Sequence, residues 1–261
     1  MKKSSPDLRE SVIELCGVRI HNLTMSEAVE RIEWLVSERR PAYVVTPTVD
    51  HLVRFQSDAE FRDAYRDAAL ALPDGFPLLW AARFLGRPLK EKISGSDLAP
   101  AQCRDMARRG RRLFFLGGRP GAADRARRRL ERQYPGIRIV GTYCPPYGFE
   151  RDPRENAGIV RRIRETSPDV VFLGLGTPKQ EKWMHRHYRE AGSPVMIGVG
   201  ATIDFMAGVV RRAPFFMQRS GLEWLWRLAL EPRRLWRRYL VEDPRFFWIL
   251  LKHKLAHPAS R

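Results

Sequence analysis

The sequence predicts an α/β fold: a mainly parallel sheet covered by helices, with a helical C-terminal appendage. Three observations carry that expectation. Short β-rich apolar runs alternate with amphipathic helical stretches through the middle of the chain. Three of those runs end in glycine, at Gly117-Gly118, Gly174/Gly176 and Gly198/Gly200. Beyond Gly208 no β-rich run follows, and the composition turns basic and aromatic. Alternation of this kind builds βαβ units and a doubly covered, Rossmann-like sheet. In such sheets ligands sit at the carboxyl ends of the strands.

In chain order, residues 1–10 read as a loose tail. Val12 to Ile20 reads as a short strand pair around Gly17. A helix follows from Thr24 or Ser26 to Glu38, with Ser26 a possible cap and Ala28, Ile32 and Leu35 on its apolar face. Ala42 to Val45 is a strand ending in Thr46-Pro47-Thr48. Asp50 to Ala69 reads as one amphipathic helix carrying Leu52, Phe55, Phe61 and Tyr65 inward. Leu70 to Leu72 is a strand, and two helices, Phe76 to Leu85 and Ser96 to Arg109, flank the loop 86–95. Strands at Arg112–Leu116, Ile137–Tyr143, Asp169–Leu173 and Pro194–Val199 then alternate with helices at Pro120–Gln133, Asp152–Thr166 and Pro178–Glu190. The α/β domain so defined spans 11–208, and residues 209–261 form the appendage.

Charge narrows the partners. The 261 residues hold 47 Lys and Arg against 30 Asp and Glu, a net charge of +17. That excess implies an anionic partner: nucleic acid, an anionic membrane surface or a phosphorylated substrate. Arginine dominates it, which favours bidentate phosphate contact. The appendage alone has 12 Lys and Arg against 4 Asp and Glu, and four of the seven tryptophans, Trp224, Trp226, Trp236 and Trp248. Arginine interleaved with Trp and Tyr is the composition of a membrane-interface element, and several arginines can clamp a diphosphate. No nucleic-acid module is present, so a membrane surface ranks above nucleic acid. Cys16, Cys103 and Cys144 are odd in number and far apart, as in a reducing compartment. The basic N-terminus lacks an apolar segment of signal-peptide type, and no run reaches the roughly 18 apolar residues of a spanning helix. The expectation is a cytoplasmic protein meeting a membrane from its surface.

Leu72-Pro73-Asp74-Gly75 delivers one carboxylate at a strand mouth between Pro and Gly, as a general base is often presented. The same residues also make an ordinary turn signal. Glycine strand ends suit phosphate through backbone N–H groups. Gly174-Leu175-Gly176-Thr177-Pro178 lacks the last glycine of a dinucleotide fingerprint, and no acidic residue closes the next strand. Thr177 can cap the following helix with Pro178 in its first position, which leaves Lys179 and Gln180 in the first turn beside the cleft. No Asp-x-Asp occurs, and the scattered histidines, including His51, offer no metal spacing. No metal or cofactor is expected, so phosphate charge falls to Arg, Lys and backbone dipoles.

Taken together, these pieces resemble the WecG/TagA/CpsF glycosyltransferases of bacterial surface-polysaccharide synthesis. The resemblance covers roughly residues 12–242. It rests on Thr46-Pro47-Thr48, Leu72-Pro73-Asp74-Gly75, Phe115-Leu116-Gly117-Gly118 and Gly174-Leu175-Gly176-Thr177-Pro178-Lys179-Gln180-Glu181-Lys182. It continues through Gly198 to Phe205, Arg212-Ala213-Pro214, Gly221 to Trp224 and Glu231 to Tyr239. The resemblance implies inverting transfer of a sugar from a UDP-sugar to a polyprenyl-diphosphate-linked acceptor, without a metal, at the inner face of the plasma membrane. It implies Asp74 as base with Thr46 beside it, and Gln180 as a nucleotide- or sugar-site residue. It places Arg227, Arg234 and Arg237 at the acceptor diphosphate. With the residues read above, Thr48, Gly117, Gly118, Gly176, Lys179 and Gly200 complete the expected donor site. Thr48 stands where family members often carry Asn, with Asp50 two positions on. That leaves the donor open among N-acetylmannosamine, its uronic acid, glucose and other hexoses, and makes Asp50 the rival carboxylate. Two further readings are a basic nucleic-acid-binding protein, which leaves Asp74 idle, and a nucleotide-cofactor oxidoreductase, which the broken glycine pattern disfavours.

Overall fold

The computed structural model describes residues 12–192 and 194–256. The expected tail over residues 1–10 and the last five residues of the appendage lie outside them. The first strands, β1 (Val12–Leu15) and β2 (Val18–His21), pair antiparallel. Their two-residue turn, Cys16-Gly17, holds φ of 52° and 86°, as a hairpin twisted to match its strands requires. Helix α1 (Met25–Ser37) is capped by Thr24, not Ser26. The Thr24 hydroxyl accepts the Glu27 N–H and the Glu27 carboxylate accepts the Thr24 N–H, a reciprocal box that leaves Ser26 inside the first turn.

Strand β3 (Ala42–Val45) leads not into one helix over 50–69 but into two, α2 (Val49–Phe55) and α3 (Ala59–Arg66). Asp58 accepts the Phe61 N–H and starts the second helix, so the amphipathic pattern continues across a break. Then come β4 (Leu70–Ala71), α4 (Phe76–Phe84), α5 (Gly95–Arg108), β5 (Arg112–Gly117), α6 (Ala122–Gln133) and β6 (Arg138–Tyr143). The domain continues with α7 (Pro153–Thr166), β7 (Val170–Gly174), α8 (Lys179–His187), β8 (Val195–Gly198) and α9 (Thr202–Ala207). Pro178 is the cap residue of α8 and Thr177 makes no capping bond; its hydroxyl is engaged elsewhere.

The six strands form one all-parallel sheet in the order β4-β3-β8-β7-β5-β6. Nearly every side chain of β3, β7 and β8 is buried, as a sheet covered on both faces demands. One face is covered by α2, α3, α4, α7 and α8 through residues such as Leu52, Phe61, Leu78, Ile159 and Trp183. The other is covered by α1, α5, α6 and α9 through Ile32, Leu98, Leu130 and Ile203. Segments leaving the neighbouring strands β3 and β8 depart to opposite faces, which opens a crevice at their carboxyl ends.

Past Gly208 the described chain is helical: α10 (Phe215–Arg219), α11 (Glu223–Leu230), α12 (Pro232–Arg237), a π-helical turn at Arg238–Glu242, and α13 (Arg245–Ala256). These helices lie over the crevice. Phe246 and Leu250 of α13 return to the core beside α2, which anchors the far end of the segment.

Candidate active site

A cleft of about 1220 Å³ opens where the strands end and the C-terminal helices cover them. Its floor is made by Thr46 after β3, Asp74 after β4, Gly118 after β5, Gly174 at the end of β7 with Gly176 beyond it, and Gly200 after β8. Its roof carries Arg227, Arg234 and Arg238. Three ionic anchors hold the roof down. Arg212 reaches Asp97 (2.7 Å) and Glu223 (3.2 Å), and Arg119 reaches Glu231 (2.5 Å). Arg238 reaches Asp50 (3.5 Å) and donates to the Thr48 hydroxyl (3.1 Å).

Backbone bonding explains how Asp74 comes to the floor. The Leu72 N–H donates to Val45 O and the Asp74 N–H to Pro47 O, so the β3–β4 ladder runs on past the strand. Gly75, at φ 104°, then turns the chain into α4. The Asp74 Oδ2 accepts the Gly95 N–H at 3.3 Å. Burial pushes its carboxyl up to about 6, with Glu223 and Asp97 adding to the rise and Lys92 and the Gly95 N–H opposing it. Nearby Asp97 goes the other way. Burial would raise it, but Arg212, Ser94 and Lys92 override burial and bring it to about 2. Two neighbouring carboxyls thus have separated affinities for a proton, one fixed as an anion and one poised to gain a proton.

Thr46 and Gln180 tie the floor together. The Thr46 hydroxyl donates to Gly198 O at 3.0 Å, joining the ends of β3 and β8 across the crevice. Gln180, buried in the first turn of α8, accepts the Gly200 N–H at 3.2 Å and donates to Glu181 at 2.7 Å. Glu181 is wholly buried, its carboxyl pushed up to about 7 by burial. The chain of contacts continues from Glu181 to the Thr177 hydroxyl, to His51 Nε2 (2.6 Å), and through His51 Nδ1 to the Tyr65 hydroxyl (2.6 Å). Burial holds the His51 ring well below its ordinary pKa, with Arg238 and Arg54 adding to the fall, so the imidazole is neutral in this relay. His51 is therefore a structural link between α2 and the loop after β7.

The glycine strand ends serve close approach. A Cβ on Gly117 would stand 2.6 Å from Gly174 O, and one on Gly174 would stand 2.8 Å from Gly200 O. The Gly118 N–H donates to Gly174 O, and the Arg119 N–H to Asp204 Oδ1. Several amides expected to face a phosphate are therefore spent on joining the loops to one another.

Of the expected donor residues, Thr48, Gly118, Gly176, Gln180 and Gly200 line the cleft, whereas Gly117 and Lys179 lie outside its lining. Lys179 pairs with Glu150 at 3.1 Å and lies over the Tyr147 ring, because the start of α8 turns it toward the loop before α7. Of the expected acceptor arginines, Arg227 and Arg234 line the cleft. Arg237 is turned outward toward Glu242 and is 74% exposed. Its neighbour Arg238 points inward instead. Successive residues of a helix point about 100° apart, and the sequence offers no local signal for which of two adjacent arginines faces the floor. Asp243 was likewise invisible to sequence reasoning; burial pushes it up to about 7 despite Arg238 nearby.

The Glycosyl transferase WecG/TagA/CpsF family model matches residues 13–260. The chain belongs to that family. The WecG/TagA/CpsF match takes in the sheet, the cleft and the helices over it. An N-acetylglucosaminyldiphosphoundecaprenol N-acetyl-beta-D-mannosaminyltransferase of Bacillus spizizenii is 31% identical over 221 residues, 85% of this chain and 83% of that protein. A protein of the same name from Staphylococcus aureus is 27% identical over 245 residues, 93% of each. The chain is accordingly a glycosyltransferase, with an α/β catalytic fold of the kind its alternating pattern predicts. Among the described residues no helix is long and apolar enough to cross a membrane.

Proposed function

We propose that this glycosyltransferase moves a hexose-type sugar, N-acetylmannosamine or a relative of it, from a UDP-sugar to a polyprenyl-diphosphate-linked sugar, with inversion. The observation that carries the reading is Asp74, a buried carboxylate poised to take a proton on the floor of a cleft whose roof is lined with arginine. The names of the Bacillus and Staphylococcus relatives supply the acceptor class and favour N-acetylmannosamine.

The reaction is one displacement. Asp74 takes the proton of the acceptor hydroxyl as that oxygen bonds to the anomeric carbon. The bond from that carbon to the β-phosphate oxygen breaks, and UDP leaves with the electron pair. A carboxyl near pH 6 suits the base: it is ionised at neutral pH and retains basicity. Charge on the leaving phosphate and on the acceptor diphosphate is met by Arg227, Arg234 and Arg238, a contribution usually larger than that of the base. Thr46 and Gln180 act by fixing Gly198 and Gly200, and Thr48 is held by Arg238 against the roof. Lys179 and Arg237 do not line the cleft; Lys179 pairs with Glu150 and Arg237 with Glu242.

The roof supports attachment to a membrane surface from the cytoplasmic side. Phe215, Phe216, Trp236 and Trp248 are all more than half exposed on the helices that cover the cleft. The test is transfer from a panel of UDP-sugars to a polyprenyl-diphosphate sugar, comparing the native chain with Asp74→Asn. Activity with UDP-N-acetylmannosamine and its loss in the variant at unchanged UDP binding support the reading; near-native turnover by Asp74→Asn removes Asp74 from the role.

A further inference from the structure

Resting on that reading, we infer that the apolar groove between α4 and α13 holds the diphosphate-proximal isoprene units of the lipid-linked acceptor. The groove is the apolar arm of the same cleft whose other arm carries the arginines and Asp74.

Two apolar stripes at helical spacing form its walls. Phe76, Trp80 and Phe84 recur at every fourth residue of α4, and Phe247 and Leu251 do so on α13. Helix α4 already buries a different face, through Leu78, Ala81 and Ala82, and α13 buries Phe246 and Leu250. Neither stripe is therefore needed to hold its own helix in place. Trp80 is 59% exposed, Phe84 49% and Phe247 71%. Exposed aromatics on two facing helices mark a surface that something apolar occupies. At the outer end the Lys254 ammonium sits 3.6 Å from the centre of the Phe84 ring, bridging α13 to α4 and closing the wall with a cation.

Continuity decides the occupant. An acceptor whose sugar hydroxyl reaches Asp74 and whose diphosphate meets Arg227 and Arg234 carries an apolar chain directly beyond the second phosphate. The α4 stripe runs for roughly 12 Å from Phe76 to Phe84 at 1.5 Å per residue. It starts one residue from Gly75 at the floor, so a chain leaving the phosphates enters it at once. A flexible polar ligand would leave these aromatics wet, whereas an isoprenoid covers them.

The experiment uses the full chain, without vesicles or micelles, and N-acetylglucosamine diphosphates carrying alkyl or prenyl chains of increasing length, each below its aggregation threshold. The native protein should gain about tenfold or more in kcat/KM from the shortest chain to a chain of groove length. Phe84→Gln and Leu251→Gln should flatten that gain toward unity through KM, and Phe84→Leu should restore most of it. Chain-length dependence unchanged in both Gln variants, with folding confirmed by thermal unfolding, overturns the groove. A gain that is present only when vesicles are added also overturns it, since the stripes then bind bilayer and not the acceptor's own chain. Absence of transfer to every acceptor, whatever its chain, counts against the proposed reaction instead.

Discussion

At the scale of single residues, Asp74 is decided by its surroundings and not by its flanking Pro and Gly. Those neighbours make a turn; the ladder bonds to Val45 and Pro47 and the burial behind Lys92 make a base. Asp74→Asn should lower kcat by roughly 10²–10⁴-fold with UDP affinity retained, measured by single-turnover transfer and UDP titration. In the native protein kcat/KM should fall on acidification through about pH 6, because protonation of Asp74 in the free enzyme removes the base. Asp50 cannot substitute, being paired with Arg238 and Arg54. A second residue-scale expectation concerns Gly117, which combines φ 101° with a carbonyl 2.6 Å from where a Cβ would stand. Gly117→Ala should lower stability by roughly 2–4 kcal/mol in urea unfolding, since neither backbone can yield without parting β5 from β7.

At the scale of elements, the decisive contact is the π-helical turn at Arg238–Glu242 against the loop after β3. The π turn sets which arginine points inward, and Arg238 then couples the roof to Thr48 and Asp50. Arg227→Gln and Arg234→Gln should raise the acceptor KM at least about tenfold each, as expected for loss of a charge-assisted phosphate contact. Arg237→Gln should change it by less than about twofold, since that side chain pairs with Glu242 in solvent. Steady-state kinetics of the three variants separate the two arrangements. A double-mutant cycle of Arg238→Met with Asp50→Asn should give a coupling of about 1–2 kcal/mol, read by thermal unfolding, because removing one partner leaves the other charge unpaired in a part-buried site.

At the scale of the whole molecule, the basic surplus and the buried carboxyls pull stability in separate ways. Asp74, Glu181 and Asp243 all hold their protons more tightly in the fold than in the unfolded chain, at about 6, 7 and 7. The native state thus binds more protons than the unfolded state between the ordinary carboxyl range near 4 and pH 7, and these groups lose their stabilising effect as pH rises through that window. Asp97, brought to about 2, works in the opposite sense and loses its contribution only below about pH 4. The Tm should therefore peak near pH 4 and decline toward pH 7, with His21 and His51, both held neutral by burial, offsetting part of the decline, which calorimetry across that range checks. With a net charge of +17, association with anionic vesicles should weaken steeply between low salt and about 0.5 M, where the Debye length shrinks to a few ångströms.

Much of the fold is legible in the sequence because parallel sheets buried on both faces need continuous apolar runs. The runs at β3, β5, β7 and β8 stand out accordingly, each ending in Thr or Gly. The helix break at Asp58 was not legible, since the apolar face continues across it and only a capping bond reveals the new start. The position of Thr177 suits a cap, but a buried histidine brought from α2 takes its hydroxyl instead.

By itself the sequence determined the α/β layering, the parallel strands, the basic helical end and the family, because periodicity, glycine placement and motif order are properties of the chain. The tertiary structure alone decided that Asp50 is paired with arginine while Asp74 is left poised to take a proton, and that Arg238 faces the cleft while Arg237 and Lys179 do not. It also decided that α4 and α13 leave an apolar arm open beside the arginines. These depend on burial, helix phase and contacts between residues 190 positions apart, as Thr48 and Arg238 are. No local pattern encodes a direction in space.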